Sequence, residues 1–520
     1  MKKYTYLTGV SVFAFFCSSL SAENMYLNGI WEKGKTQAFS NPAAWMTPKG
    51  PANRVIQKDD TLIVTDTTGY SRIDGNVKIK HLNLGKFLAS RSSIGKIAWN
   101  MLKTAPNGKD GSLTIDTNEK DAKISSAISS NFKGYRNDKN QSGLAQQVLT
   151  ISGGKVVIRN SASGGAVALD MNAEQTPKTP PTYNAGIIFD CPVHFFNSAV
   201  VRSNNVAYCE GIGYQVCQLS FLNQTLVAYT AKGKHHFRTF NVFALPTHYF
   251  TPLMIINIGD NHHRKARMQT GTFKLSNGSA LNVFGTLDIN GDFIMERAAK
   301  LDIKAGGKVN VSSTNIDKFV EFKSDKLARI NIDGALSITN PKLHKDNTKF
   351  LDVQMIVGEK GSITVDGTGF QGMNGLYIER SLLKLKKGAK VYARNMLRLG
   401  DRSRLQMYGE NPISAREPAN KLCKIIVQGR ETKIETYANQ KFDSFDARQS
   451  FLFKIGEDVN DISFQKLISK WYKHVFVEID GFRNGVIKIA NDDPNITTNI
   501  KAKGWTNFRI ENGFLTATKQ

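Results

Sequence analysis

Leu281-Asn282-Val283-Phe284-Gly285-Thr286-Leu287-Asp288-Ile289 is the stretch that decides the fold, because it contains twice a phrase that recurs from Thr272 to Tyr408. The phrase is an apolar–polar–apolar triplet, and it returns at Leu301-Asp302-Ile303, Val309-Asn310-Val311, Ile330-Asn331-Ile332, Leu336-Ser337-Ile338, Ile363-Thr364-Val365 and Leu405-Gln406-Met407. Alternation with a period of two places both apolar side chains on one face of a β-strand. Each triplet therefore predicts a short strand with one buried face.

Glycine precedes many of these triplets, at Gly285, Gly307, Gly334, Gly361 and Gly388. Glycine allows the backbone to turn a corner before the next strand begins. One such strand cannot bury its apolar pair alone, whereas coils stacked on one another bury all the pairs in one continuous core. We therefore predict an all-β fold, a β-solenoid, in which the 520 residues are accommodated by adding coils.

The N-terminus has the three-part pattern of a secretory signal peptide. Lys2 and Lys3 precede an apolar run from Tyr4 to about Cys17, and small residues follow up to Ala22. This run is too short for a membrane-spanning helix, and no later run is apolar for long enough. The sequence predicts removal of residues 1–22, export from a bacterial cell to its surface, its surroundings or its periplasm, and no transmembrane segment afterwards.

The chain is strongly basic, with a formal net charge of +25. An exported protein of this charge attracts polyanions, so the predicted partners are acidic polysaccharides or other cell-envelope polyanions. The alternative is that the lysines maintain solubility and discourage strand pairing between molecules. Oligomeric state is left open.

Basic residues are concentrated at outward positions of the predicted strands between residues 384 and 404. They are Lys384, Lys386, Lys390, Arg394, Arg398 and Arg404. Equivalent positions on successive coils lie roughly 4.8 Å apart, so stacked like charges repel one another unless solvent or a polyanion lies along them. These six residues are the candidate polyanion-binding face. The alternative is a solvated basic surface that pairs with acidic residues such as Glu379 and Asp401.

The cysteines and histidines between residues 185 and 265 offer a second kind of chemistry. Four cysteines follow the signal peptide: Cys191, Cys209, Cys217 and Cys423. Export permits disulfides, and Cys209 and Cys217 are close enough in sequence to close a small loop, so we predict this pair first. Cys191 and His194 have a spacing that can chelate zinc, but Cys209 and Cys217 do not continue a zinc pattern. No metal and no cofactor are predicted.

The N-terminal region contains a turn-rich series of motifs. It reads Trp31, then Asn41-Pro42-Ala43-Ala44-Trp45, Gly50-Pro51, Asp59-Asp60-Thr61-Leu62-Ile63-Val64, Asp74-Gly75-Asn76-Val77 and Leu82-Asn83-Leu84-Gly85. Over residues 28–85 this order resembles secreted bacterial β-helix surface proteins, which include autotransporter passenger-like proteins and repeat surface proteins of the Planctomycetes–Verrucomicrobia–Lentisphaerae kind. The resemblance implies export, a right-handed parallel β-helix and a place at the cell surface.

Four segments follow from these patterns: the signal peptide at 1–22, an N-terminal cap with the first strands at 23–85, the solenoid at 86–460 and a C-terminal cap at 461–520. Loop insertions are predicted near residues 116–147 and 172–184. In the C-terminal cap, an apolar stripe beginning at Phe464 has helical spacing, and Asp461 or Ser463 is available to cap a helix. Asn512-Gly513 between two strand-like runs predicts a hairpin.

The sequence favours a non-catalytic structural or adhesive surface protein. Adjacent acids occur at Asp59-Asp60 and Asp492-Asp493, but the first pair lies in the cap and the second in a turn before proline. Glycoside hydrolysis needs two carboxylates held across the scissile bond, and no further signature of a catalytic site is present. The alternative is a β-helix polysaccharide lyase or glycoside hydrolase whose acids converge from distant coils. Its catalytic residues are unknown.

Overall fold

The computed structural model describes residues 22–27, 35, 37–64, 70–84, 98–103, 111–133, 147–174, 184–203, 216–244, 254–276, 278–296, 299–312, 321–340, 348–367, 375–393, 396–415, 422–467, 474–490 and 497–520. Over these residues the chain is a parallel β-helix, which confirms the predicted fold class. The predicted signal peptide lies outside the described residues except for its last residue.

The strands form three sheets. Sheet 1 contains β1 (Asn24–Leu27), β3 (Trp45–Thr47), β4 (Gly50–Pro51), β5 (Thr61–Val64), β8 (His81–Leu84), β11 (Ile124–Lys133), β14 (Ala166–Glu174), β17 (Ala199–Ser203), β21 (Phe240–Ala244), β24 (Phe273–Leu275) and β27 (Phe293–Met295). Sheet 2 contains β7 (Asn76–Ile79), β10 (Ser112–Asp116), β13 (Lys155–Arg159), β16 (Val193–Phe195), β19 (Gln224–Ala231), β20 (Lys234–Phe237), β23 (Arg267–Thr270), β26 (Thr286–Ile289), β29 (Lys308–Ser312), β31 (Ala335–Asn340), β33 (Ser362–Gly367), β36 (Lys390–Ala393) and β39 (Ile413–Ala415).

Sheet 3 runs along the whole solenoid. It contains β2 (Gln37–Ala38), β6 (Tyr70–Arg72), β9 (Ala98–Lys103), β12 (Gln147–Ser152), β15 (Asn184–Asp190), β18 (Val216–Phe221), β22 (Met254–Ile258), β25 (Ser279–Val283), β28 (Lys300–Ile303), β30 (Glu321–Ile332), β32 (Thr348–Val357), β34 (Gly375–Glu379), β35 (Leu382–Leu385), β37 (Met396–Leu399), β38 (Arg404–Met407), β40 (Lys424–Val427), β41 (Thr432–Thr436), β42 (Gln440–Ala447), β43 (Phe451–Ile455), β44 (Ile462–Leu467), β45 (Val477–Asp480), β46 (Ile487–Ile489), β47 (Ile500–Lys501), β48 (Trp505–Glu511) and β49 (Phe514–Lys519).

Each coil in the first part of the solenoid contributes one strand to each sheet. The chain passes from sheet 1 to sheet 3 to sheet 2, and the next coil lies parallel and in register, as β10 does between β7 and β13. From β32 onward sheet 3 carries two stacks of strands, because β32 pairs with β34 through its first half and with β35 through its second. One stack continues through β37 and β40, and the other through β38, β41, β43 and β45.

The core is built from columns of buried side chains that run along the solenoid. All the quoted triplets form strands, and their apolar positions are buried as predicted. Leu281 aligns with Leu301, and Leu301 with Ile330 on the next coil. Where coils need more volume, phenylalanines fill it: the Phe189 and Phe221 rings stack 5.5 Å apart. Like side chains at like positions thus give one continuous apolar core.

The N-terminal end of the solenoid is covered by antiparallel strands. Strand β3 pairs antiparallel with β1 and with β4, while β1 pairs parallel with β5. Trp45 is completely buried, and its Nε1 donates to Phe39 O at 2.9 Å. Asn41 caps the 3-10 helix Pro42–Ala44 by accepting from the Ala43 backbone N–H. The Asn-Pro-Ala-Ala-Trp motif is therefore a turn that places one tryptophan in the core.

The helix predicted in the C-terminal cap is wrong. Residues Ile462–Leu467 form strand β44, with Ile462 and Phe464 buried and Ser463 and Gln465 facing outward. Phe464 fits both the helical spacing and the strand alternation, and the backbone of β42 and β46, between which β44 lies, favours the strand. Residues 468–473 lie outside the described residues. The predicted hairpin is confirmed, because β48 and β49 pair antiparallel around Asn512 and Gly513.

The loop predicted near residues 116–147 is wrong in part. Residues Ile124–Lys133 form β11, which pairs parallel with β8 and β14 in sheet 1. Its polar serines are compatible with this position because Ser125 and Ser130 are buried and hydrogen-bonded. Residues 134–146, which are part of the first predicted insertion, and 175–183, which are most of the second, lie outside the described residues. The division of the chain into cap and solenoid segments stays a prediction.

Candidate functional site

Four successive coils of sheet 3 present a basic outer surface. In β35, β38, β41 and β43 successive side chains alternate between the apolar core and the outer surface. The register aligns Lys384, Gln406 and Glu435 in one column, and Arg404 with Lys433 in the next. We call this surface the basic face and define it by Lys384, Lys386, Arg404, Lys433 and Lys454, together with Gln406, Tyr408, Glu435 and Tyr437.

Glu435 organises the centre of the basic face. Its side chain is only 5% exposed, and Arg404 donates to both carboxylate oxygens, from Nε at 2.6 Å and from Nη2 at 3.0 Å. Gln406 Nε2 donates at 2.8 Å and Tyr437 Oη at 2.9 Å. Burial by itself would raise the pKa of Glu435, but these hydrogen bonds outweigh it and the pKa is lowered. The negative charge of Glu435 is therefore balanced by Arg404 within the cluster.

Two stacked tyrosines border this carboxylate. The rings of Tyr408 and Tyr437 lie parallel with centroids 4.6 Å apart, and Lys384 Nζ lies 5.0 Å from the Tyr408 centroid. Burial, followed by the hydrogen bond to Glu435, raises the pKa of Tyr437 to about 12. Tyr437 is thus neutral at ordinary pH and adds no negative charge to the face.

The lysines of the basic face have few carboxylates near them among the described residues. Within the described part of the chain, no carboxylate lies at ion-pair distance from Lys384, Lys386 or Lys433. Lys454 Nζ lies 4.0 Å from Asp480, which is the outer limit of an ion pair. Since Glu435 is already satisfied, the surface carries a net positive charge along coils spaced roughly 4.8 Å apart.

Half of the six predicted face residues belong to this surface. Lys384, Lys386 and Arg404 lie on the basic face. Lys390 begins β36 in sheet 2, where it aligns with Ser362. Arg398 lies on β37, in the other stack of sheet 3.

The geometric expectation that the six residues form one ladder is therefore wrong. The ladder fails because residues 384–404 run once around the solenoid, so their outward side chains leave it in different directions. Arg394 lies outside the described residues. Whether the lysines and arginines bind a polyanion stays a prediction.

Comparison with protein-family models, characterised proteins and solved structures finds no match to this chain.

The cysteine and histidine predictions concern a different region. Cys209 lies outside the described residues, so its pairing with Cys217 stays a prediction; Cys217 is buried, with Sγ 3.5 Å from Met171 O. Cys191 is buried in the core, where burial raises the pKa of its thiol to about 12, whereas His194 lies on the outer surface of sheet 2. In the described residues no group of three or more histidine, cysteine or acidic side chains is arranged to hold a metal.

The buried carboxylates of the described chain are engaged in structural ion pairs. The carboxylate of Asp60 accepts two hydrogen bonds from the Arg54 guanidinium, at 2.6 and 2.9 Å. Asp116 accepts one from Arg159 Nε at 2.9 Å, and Asp302 forms ion pairs with Lys300 and Lys304. Burial opposes the charged form in each, but hydrogen bonds and cations prevail and the pKa is lowered. A general acid in glycoside hydrolysis needs a raised pKa. Asp492 and Asp493 lie outside the described residues.

Sequence reasoning missed the acidic and basic residues contributed by the next coils. Thr432-Lys433-Ile434-Glu435-Thr436-Tyr437 alternates in the same way as the quoted triplets, so its outward residues could have been identified from their period. The position of these residues beside Lys384 and Arg404 could not have been predicted, because it depends on the number of residues in each coil. Among the described residues no helix is both apolar enough and long enough to span a membrane.

Proposed function

We propose that this chain is an exported, non-catalytic surface protein whose solenoid holds an acidic polysaccharide along the basic face. The observation that carries the proposal is the set of unpaired lysines around a neutralised carboxylate: Lys384, Lys386 and Lys433 beside the Arg404–Glu435 pair. Cations repeated along a rigid axis suit a polymer with repeated anionic groups, since several weak contacts then act on one chain.

Export in this proposal rests on the charged, apolar and small-residue segments of residues 1–22. The structural or adhesive role rests on the solenoid form, in which a long outer surface is available for contacts. The non-catalytic part is supported by the lowered carboxyl pKa values of Asp60, Asp116 and Asp302, which favour a permanently charged state over proton donation.

The test measures retention of the mature protein on immobilised polygalacturonate, dextran sulfate and neutral dextran in a salt gradient. We expect retention on the two acidic polymers and elution at moderate salt, because ionic contacts are screened and counterions are released. The triple variant K384Q/K386Q/K433Q is expected to elute at clearly lower salt. The matched control K58Q/K120Q/K519Q removes the same charge from exposed positions elsewhere.

Equal weakening in the two triple variants would mean that only the overall charge matters and would contradict a defined face. Equal retention on neutral dextran would contradict polyanion selectivity. The chain length of soluble polymer is measured in the same incubations, and shortened chains would contradict the non-catalytic part of the proposal.

A further inference from the structure

A cleft on the outer surface of sheet 2 lies apart from the basic face. It has a volume of about 410 Å³, which is within the range of small-ligand sites. One side is formed where β20 folds back antiparallel on β19 and projects from the sheet with all four residues exposed. The cleft is lined by Lys155, Pro192, Val193, His194, Gln224, Thr225, Leu226, His235, Arg267 and Gln269.

The polar side chains of this lining are cations and amides. Lys155 and Arg267 begin strands β13 and β23, which are three coils apart, or roughly 14 Å at the usual strand spacing. Arg267 donates from Nε to Asp288 at 2.6 Å, and this pair leaves the terminal guanidinium nitrogens unused. Gln224 and Gln269 provide amide donors and acceptors of the kind that sugar hydroxyls require.

Two histidines lie on either side of the cleft. His194 is 8% exposed, its ring stacks on Phe196 with centroids 4.1 Å apart, and Nε2 lies 3.2 Å from Ala228 O. His235 on β20 faces it with ring centroids 6.1 Å apart, and its Nδ1 lies 3.1 Å from Thr230 Oγ1. The projecting hairpin therefore places one imidazole ring opposite another imidazole ring in the sheet.

We propose that this cleft is a binding site for an anionic oligosaccharide, with Lys155 and Arg267 contacting its carboxylate or sulfate groups, and that protonation of His194 tightens binding. The site goes beyond the basic face and does not depend on it. Because the two lie on different sheets, either can fail alone.

The direction of the pH effect follows from the charges around His194. Burial, and after it the positive charge of Lys155, lowers the pKa of His194; the contact with Ala228 O opposes this, and His235 adds to the lowering. Arg267 and its partner Asp288 complete the charged groups facing the cleft. A bound anion favours the protonated ring, so affinity is expected to rise as the pH falls toward the lowered pKa of His194.

The test is calorimetric titration of the full mature protein with a galacturonate hexamer, a sulfated hexasaccharide and maltohexaose at pH 5.5 and 7.5. We expect a site for at least one acidic hexasaccharide that is retained in K384Q/K386Q/K433Q and binds roughly fivefold or more tightly at pH 5.5 than at pH 7.5, and no binding of maltohexaose. The two acidic probes distinguish carboxylate from sulfate recognition. K155Q/R267Q is expected to weaken binding roughly tenfold or more, since each removed charge contact contributes.

The control is K308Q, which removes one exposed charge two coils beyond Arg267 in the same sheet. His194→Gln is expected to reduce the pH dependence, whereas His235→Gln, a change on the exposed hairpin, is expected to leave the contacts of Lys155 and Arg267 in place. The proposal is overturned if the wild-type protein binds neither acidic hexasaccharide at either pH, if K308Q weakens binding as much as K155Q/R267Q, or if K384Q/K386Q/K433Q abolishes it.

Discussion

At Gly361, backbone from the neighbouring coil approaches too closely for any side chain. A Cβ at this position would lie 1.9 Å from Ile332 O and 2.9 Å from Val357 Cγ1. Gly388 is required for a different reason: its φ of +86° lies in the left-handed region that favours glycine. The glycines that precede the triplets therefore serve two purposes, close packing between coils and tight corners.

Gly361→Ala is expected to lower the free energy of unfolding by about 1–3 kcal/mol, because the nearest contacting atom, Ile332 O, belongs to backbone that must shift. The measurement is the shift in Tm against the wild-type protein. Gly75→Ala is the matched control, since nothing lies within 4 Å of its Cβ position, and its effect should stay within about 0.5 kcal/mol. Equal Tm values for the two variants would argue against the close approach.

Glu435 illustrates how one residue connects two coils. It lies 31 residues from Arg404 in sequence, yet receives two hydrogen bonds from it. Its lowered pKa means that the charged form stabilises the folded state above the unfolded-state value of about 4.3, and that this contribution is lost as the pH falls through the folded-state pKa. The pair is thus a structural element of the basic face at neutral pH.

Among the strands, β44 shows how tertiary pairing decides between two periodicities. Phe464 stacks on Phe442 with ring centroids 5.3 Å apart and meets Phe445 edge-on at 5.6 Å. The adjacent Gln465 is exposed on the opposite face. This arrangement continues the core of the coils before it into the C-terminal end of the solenoid.

Phe464→Ala is expected to lower the free energy of unfolding by about 3–5 kcal/mol, because it leaves a cavity among packed aromatic rings. Gln465→Ala should change it by less than about 0.5 kcal/mol, since no buried contact is lost. Thermal unfolding of the two variants provides the comparison. A large effect of Gln465→Ala together with a small effect of Phe464→Ala would contradict the assigned strand.

The hairpin β48–β49 covers the apolar end of the molecule. Asn512 and Gly513 both have positive φ, 51° and 80°, as the two central residues of a tight hairpin turn require. Trp505 and Phe508 pack edge-on against Phe482 at 5.1 and 5.3 Å. A solenoid whose last coil is uncovered exposes apolar side chains and strand edges to other molecules.

Removal of residues 505–520 is therefore expected to convert the protein into oligomers or aggregates at micromolar concentration, because the exposed end offers edges for pairing. Size-exclusion chromatography with light scattering measures the mass. Glu511→Lys, an exposed change within the hairpin, should leave the mass of the intact protein unchanged. A truncated chain with the same association state as the intact protein would show that the hairpin does not protect this end.

The sequence by itself determined the β-helix, because the period-two triplets and their glycines act within a few residues of each other. It also determined the hairpin at Asn512-Gly513. Only the tertiary structure decided which charges meet, since neighbours across coils are separated by turns of unequal length. That is why Lys384 lies beside Gln406, in the same column as Glu435, but not beside Lys390, and why His194 faces His235 across a cleft that no local pattern marks.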